Sequence, residues 1–237
     1  MADFSQIELI VFDLDGTLAE TDDFFVEKSA AAICKVLPFI KKNRAEKVIR
    51  PLVNAGETVL HSFYRLLDLA GLDTVLSKMH SKMSVGREYK YREINGMREA
   101  LLELGRSYKL GILTSGGRNS TDAFLNKYGL KDTIDYVISA EDCKYIKPHP
   151  MPLQMIAEKA DVPIGNCLMV GDTVFDILCA KRAGARSAAV KSGFDSARFL
   201  RFHHADILLD SVSDLPKLFS SENSEIEKSI DKPKDLV

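Results

Sequence analysis

The sequence predicts an α/β fold, a doubly wound and mainly parallel sheet with an α-helical unit inserted after the first strand. Three observations predict it. Short apolar runs recur along the 237 residues: IELIVF (7–12), KLGILT (109–114), DYVISA (135–140), CLMV (167–170), SAAV (187–190) and DILLD (206–210). None alternates cleanly, and uninterrupted apolarity at strand length suits strands buried on both faces. Helical patterns lie between most of these runs, which is the alternation that builds a parallel sheet covered by helices. From about Glu20 to Glu93 the rhythm stops and only helical periodicity remains.

Each element has its own signal. NGMREALLELGRS places Met97, Leu101, Leu102 and Leu104 on one side of a helix, and NSTDAFLNKYGL opens with capping residues and stops at Gly129. MPLQMIAEKADV carries Pro152 near its first turn. FDILCAKRAGA ends with Lys181, Arg182 and then Gly184, the pattern of a helix C-terminus. DDFFVEKSAAAICKVLPFI, AEKVIRPLVNAGETVLHSFYRLLDLAG and LDTVLSKMHSKM predict three or four helices in the insertion. The resulting organisation is a core of residues 1–19 and 94–219, a helical cap of residues 20–93, and a polar, mobile tail of residues 220–237.

Composition excludes some functions. The chain is 46% hydrophobic and 28% charged, enough for a sizeable core, and its net charge of −2 creates no general attraction for nucleic acid or an anionic membrane. Cys34, Cys143, Cys167 and Cys179 form no C-x-x-C pair and have no histidine at zinc-site spacing. They read as reduced thiols, with Cys167 a core residue. There is no signal-peptide pattern and no apolar stretch near the ~20 residues of a membrane span. A cytoplasmic protein, monomer or homodimer, is expected.

Ligands of open α/β sheets bind beyond the carboxyl ends of the strands. The first run delivers Asp13 and Asp15, which period-two geometry sends to one face while Leu14 turns into the core. The second delivers Thr114, Ser115, Gly116 and Gly117. The third leads to Lys147-Pro148, and the fourth to Gly171-Asp172-Thr173 with Asp176 four residues beyond Asp172. Several carboxylates and one lysine on one edge repel one another unless a divalent cation joins them. Hard oxygen donors with few protein carboxylates suit Mg²⁺, which shares its coordination with water and a substrate phosphate. Phosphoryl transfer needs a nucleophile, an acid for the leaving oxygen, and donors for the phosphoryl oxygens, and each has a candidate here.

DLDGTL (13–18), LTSGG (113–117), KPHP (147–150) and GDTVFD (171–176) resemble, in order and spacing, the four motifs of the haloacid dehalogenase superfamily. The position of the helical segment is similar to members with a cap after motif one, the phosphoglycolate phosphatase-like and β-phosphoglucomutase-like enzymes. The resemblance spans about Ile7 to Phe219. It implies that Asp13 is the nucleophile and a Mg²⁺ ligand. It implies that Asp15 is the general acid/base, with its backbone carbonyl on the metal. Thr114, Ser115 and Gly116 would hold the phosphate, and Lys147 would neutralise nucleophile and phosphate. Asp172 would be the principal acidic metal ligand, and Asp176 would orient metal waters or Lys147. Ser115 stands where many relatives carry Asn.

The resemblance implies a Mg²⁺-dependent phosphatase that acts on a small phosphorylated metabolite, phosphoglycolate-like, through an aspartyl-phosphate. The alternative is a phosphomutase of the β-phosphoglucomutase type. A pyrophosphatase, a dehalogenase and a non-catalytic binding module stand further off. Asp15 argues against dehalogenation, which needs no acid to protonate an alkoxide. Arg50, Asn54 and Glu57 are candidate substrate contacts in the cap, though a polar helix face gives the same pattern. Arg118 reads as a solvated helix-start arginine, His149 as a loop residue, and His203-His204 as structural or solvated.

Overall fold

The computed structural model describes residues 4–20 and 92–219. Six strands form one parallel sheet. In chain order they are β1 (Leu9–Phe12), β4 (Lys109–Leu113), β5 (Tyr136–Ile138), β6 (Cys167–Gly171), β7 (Arg186–Val190) and β8 (Ile207–Leu209). Their order across the sheet is β5-β4-β1-β6-β7-β8. Every apolar run singled out in the sequence is a strand of this sheet, and the fold is the doubly wound architecture that the alternation predicts.

β1 shows why its sequence does not alternate. It is central, pairing with β4 (Val11 opposite Gly111) and with β6 (Val11 opposite Met169). Ile10 and Phe12 pack into a core with Met97, Leu101 and Phe124, from α1 (Met97–Leu104) and α2 (Arg118–Tyr128). Leu9 and Val11 pack on the other face with Leu153, Ile156 and Ala180, from α3 (Met151–Ala160) and α4 (Val174–Ala183). Both faces are buried, so both sets of side chains are apolar.

The four long helices match their signals, with one difference. α2 begins at Arg118 behind Gly117, whose extended backbone caps it without a side-chain hydrogen bond, so the expected capping residues lie inside the helix. Its C-terminus is Gly129 at φ 64°, and α4 ends likewise at Gly184, φ 85°. Glycine holds these left-handed positions without a Cβ clash. Two short helices escape the sequence reading, α5 (Ala197–Phe202) and α6 (Leu215–Phe219). So does a second, two-stranded sheet of β2 (Ala19–Glu20) and β3 (Arg92–Glu93). It is antiparallel, with Ala19 opposite Glu93 and Glu20 opposite Arg92. The expected helices of the cap, its residues Arg50, Asn54 and Glu57, Cys34 and the tail from residue 220 lie outside the described residues.

The chain runs outward from β1 through β4 to β5, then crosses back to β6 and runs outward through β7 to β8. The loops after β1 and β6 therefore leave in opposite directions. The crevice between them is the switch point where such sheets bind ligands.

Candidate active site

Asp13 follows the last residue of β1, and its N–H still donates to Val170 O of β6 at 2.8 Å. That bond carries the sheet register into the loop and places the Asp13 carboxylate at the crevice. Leu14 is buried with Ile10 and Phe12, as period two requires, and Asp15 follows half-buried. Gly16 turns the chain at φ 81°, and the Gly16 N–H donates to Ala19 O at 2.8 Å. A non-glycine residue would be strained there.

Lys147, in the loop between β5 and α3, is 7% exposed. Its ammonium lies 2.5 Å from Asp13 Oδ1 and 2.7 Å from Asp176 Oδ1. Asp176, in the first turn of α4, also accepts from the Thr173 N–H (3.0 Å) and the Thr173 hydroxyl (2.7 Å). Asp172, at the end of β6, has no exposed surface. Its Oδ1 accepts from the Thr17 hydroxyl at 2.9 Å and its Oδ2 from the Phe194 N–H at 2.8 Å. Thr114 is buried at the end of β4 and its hydroxyl accepts from the Gly116 N–H at 2.9 Å. Gly116 sits close to Asp15: a Cβ on it would lie 3.7 Å from Asp15 Oδ2. Ser115 is half-buried beside Thr114.

The structure thus gathers Asp13, Asp15, Thr114, Gly116, Lys147, Asp172 and Asp176 on one edge from four separate loops. The electrostatics are strained in the direction of missing positive charge. Burial pushes the Asp13 carboxyl up to about 7; Lys147 opposes this, and Asp176 and Asp15 add to it. Burial also raises Asp15, to about 6, against the pull of Lys147. Asp172 is held well above the usual carboxylate range by burial and by the charges of Asp13 and Asp176. For Lys147 burial disfavours the charge, but Asp13 and Asp176 outweigh it and keep the ammonium above the usual lysine range.

These residues fit a divalent cation. Asp13, Asp172 and Asp176 each offer a carboxylate oxygen, all within 4.8 Å of one another. Oxygen donors with this excess of negative charge suit a hard cation. Asp15 Oδ1 is buried with no hydrogen-bond partner among the described residues.

Other residues have structural work. Arg118 donates to Asp142 Oδ2 at 2.8 Å and to Val137 O at 3.0 Å, so it braces α2 against the loop after β5. It is bonded to protein rather than solvated as expected. His149 stacks on Tyr145 with ring centroids 4.0 Å apart and accepts from the Met151 N–H at the start of α3. His203 meets Phe199 and Phe202 edge-on. Cys167 is buried, and burial pushes its thiol up to about 12.

The family model of the haloacid dehalogenase-like hydrolases matches residues 10–190. The chain belongs to this family. Membership makes it a hydrolase, and the family's span begins in β1 and ends at the last residue of β7. Over most of its length it is similar to the pyrophosphatase PpaX of Bacillus cereus, 28% identical over 219 residues, covering 92% of this chain and 99% of the relative. Its fold is similar to that of a predicted phosphoglycolate phosphatase from Haemophilus somnus, with TM-score 0.63 and 20% identity, covering 91% of this chain and 99% of that one. It is also similar to the L-2-haloacid dehalogenase of Xanthobacter autotrophicus, with TM-score 0.60 and 21% identity, covering 90% and 98% of the two chains. Among the described residues no helix is long and apolar enough to cross a membrane.

Proposed function

We propose that this family hydrolase is a Mg²⁺-dependent phosphatase that cleaves a small phosphorylated metabolite through an aspartyl-phosphate on Asp13. The observation that carries the reading is the pairing of two differently supported carboxyls. Asp13 is held by the Lys147 ammonium, while Asp15 keeps a buried oxygen with no partner among the described residues. The first arrangement suits a fixed nucleophile, the second an acid waiting for a substrate oxygen.

The Asp13 oxygen attacks phosphorus, and the bond between phosphorus and the ester oxygen breaks. Asp15 gives its proton to that leaving oxygen, and a carboxyl raised to about 6 is poised to do so near neutral pH. Asp15, now ionised, takes a proton from water as the water attacks the aspartyl-phosphate. The products are inorganic phosphate and the Asp13 carboxylate. Thr114, Ser115 and Gly116 would hold the phosphoryl oxygens, and Lys147 offsets the charge of Asp13 and the phosphate. Asp13, Asp172 and the Asp15 backbone carbonyl would hold Mg²⁺, which supplies further charge stabilisation when bound. Asp176 keeps Lys147 in place. The inserted segment of residues 20–93 would act as the cap that excludes water and selects the substrate.

A pyrophosphatase reading has its own support in the full-length similarity to PpaX. Phosphate release is to be measured over phosphoglycolate, pyrophosphate, sugar phosphates and nucleoside monophosphates, each with and without Mg²⁺. Preferential pyrophosphate cleavage would select the second reading, and isomerisation of a hexose 1-phosphate without phosphate release would select a phosphomutase. Asp13→Asn is expected to lose more than about 1,000-fold in kcat while keeping the wild-type melting profile within a few degrees, since it removes the nucleophile and little volume. Full turnover in that variant would end the aspartyl-phosphate mechanism.

A further inference from the structure

We infer that the loop after β7, Ser192–Asp195, together with Thr17, is a clamp that positions Asp172 for cation binding. The inference rests on the metal-site reading above and extends it to a loop outside the four motifs. Five contacts converge. The Phe194 N–H donates to Asp172 Oδ2 at 2.8 Å, and the Thr17 hydroxyl donates to Oδ1 at 2.9 Å from the opposite side of the crevice. The Ser192 hydroxyl donates to Gly16 O at 3.1 Å, which ties the loop to the turn carrying Asp13 and Asp15. The Asp195 N–H donates to Asp172 O at 3.3 Å, and Asp195 Oδ2 accepts from the Val174 N–H at 2.7 Å, the start of the helix that bears Asp176. One short loop therefore touches all three carboxylate-bearing segments.

Close packing makes the clamp specific. A Cβ built on Gly193 would overlap Oδ2, Cγ and Cβ of Asp172, and a Cβ on Gly16 would overlap the same carboxylate from the other side. Asp172 is gripped between two α-carbons and two donors. Its plane is set, one lone pair of each oxygen is occupied, and the remaining pairs are left for a cation. Groups that orient a metal ligand from behind typically account for 10–100-fold in metal affinity.

The test reads Mg²⁺ binding to the whole chain by titration calorimetry, without substrate, beside circular dichroism and melting of the metal-free protein. Gly193→Ala is expected to bind Mg²⁺ about 10–100-fold more weakly, with the Mg²⁺ activation constant raised in parallel. Gly165→Ala is the matched control, because open space surrounds that position. It is expected to bind Mg²⁺ as wild type does. Should Gly193→Ala fail to fold, Thr17→Val and Thr17→Ser decide the matter: the clamp requires weaker Mg²⁺ binding in the first and recovery in the second. Wild-type Mg²⁺ affinity in folded Gly193→Ala, or in Thr17→Val, overturns the proposal, as does a wild-type chain that binds no Mg²⁺. A wild-type chain that bound Mg²⁺ but released no phosphate would sink the phosphatase reading alone, while the variants still decided the clamp.

Discussion

Lys147 supplies one ammonium to a site where Asp13, Asp172 and Asp176 are all buried. The shortage has a thermodynamic sign. In the metal-free protein the Asp13 carboxyl is raised from 3.8 to about 7, so between those values the folded chain holds a proton that the unfolded chain has released. Its contribution is full below about pH 4 and is lost as pH rises through about 7, and Asp172 shifts in the same direction. Scanning fluorimetry in EDTA should therefore give a lower melting temperature at pH 8 than at pH 6. Added Mg²⁺ should raise melting more at pH 8, where the ion meets ionised carboxylates. A Mg²⁺ effect that is equal at the two pH values would contradict this account. Much of the site is legible as residues, because Asp13, Thr114, Lys147 and Asp172 each stand at or soon after an apolar run. The grip on Asp172 is not. Ser192-Gly193-Phe194-Asp195 has the composition of an ordinary turn, and both its partner Gly16 and the Thr17 that shares Asp172 with it are far away in sequence, so only the folded crevice brings them together.

Among the elements, α4 links structure to chemistry most directly. Asp176 serves its own helix start, through the Thr173 N–H and hydroxyl, and the Lys147 ammonium at the same time. A cap that also holds a charged neighbour is a single point at which stability and site geometry meet. Thr173→Ala should cost about 1 kcal/mol, the usual effect of losing an N-terminal cap. In a chain of this size that corresponds to a fall of about 2–4 °C in melting temperature. An unchanged melting temperature would mean that the N–H alone holds Asp176. Legibility at this scale follows length and burial. The six strands are read as uninterrupted apolar runs because both sheet faces are covered, α1 because its apolar residues share one side, and the other three long helices because their termini carry glycine or proline signals. α5 escapes because its six residues bury only Leu200, too few for a period to show. β2 and β3 escape because two residues each leave no alternation to read.

Across the whole molecule, the strand order β5-β4-β1-β6-β7-β8 puts the first strand in the middle, so the earliest residues of the fold are completed by partners a hundred or more positions later. The fold class was legible from the alternation alone. The crevice between β1 and β6 was not, because which strands neighbour one another is decided by crossover directions that no local pattern records. The narrow ribbon of β2 and β3 has a different consequence. Glu20 and Arg92 stand directly opposite each other, so the chain departs from the sheet and comes back through one doorway. To a gene builder, residues 21–91 are a cassette. Joining Glu20 to Arg92 by an Asn-Gly pair, the turn that best closes a two-residue hairpin, should leave a shortened protein that still melts cooperatively. A non-cooperative melt would show that the sheet depends on what was removed. If the cassette can be lifted out, it can also be exchanged. Transplanting the corresponding stretch of another family member through the same doorway should then transfer substrate preference while the carboxylates and Lys147 stay where they are.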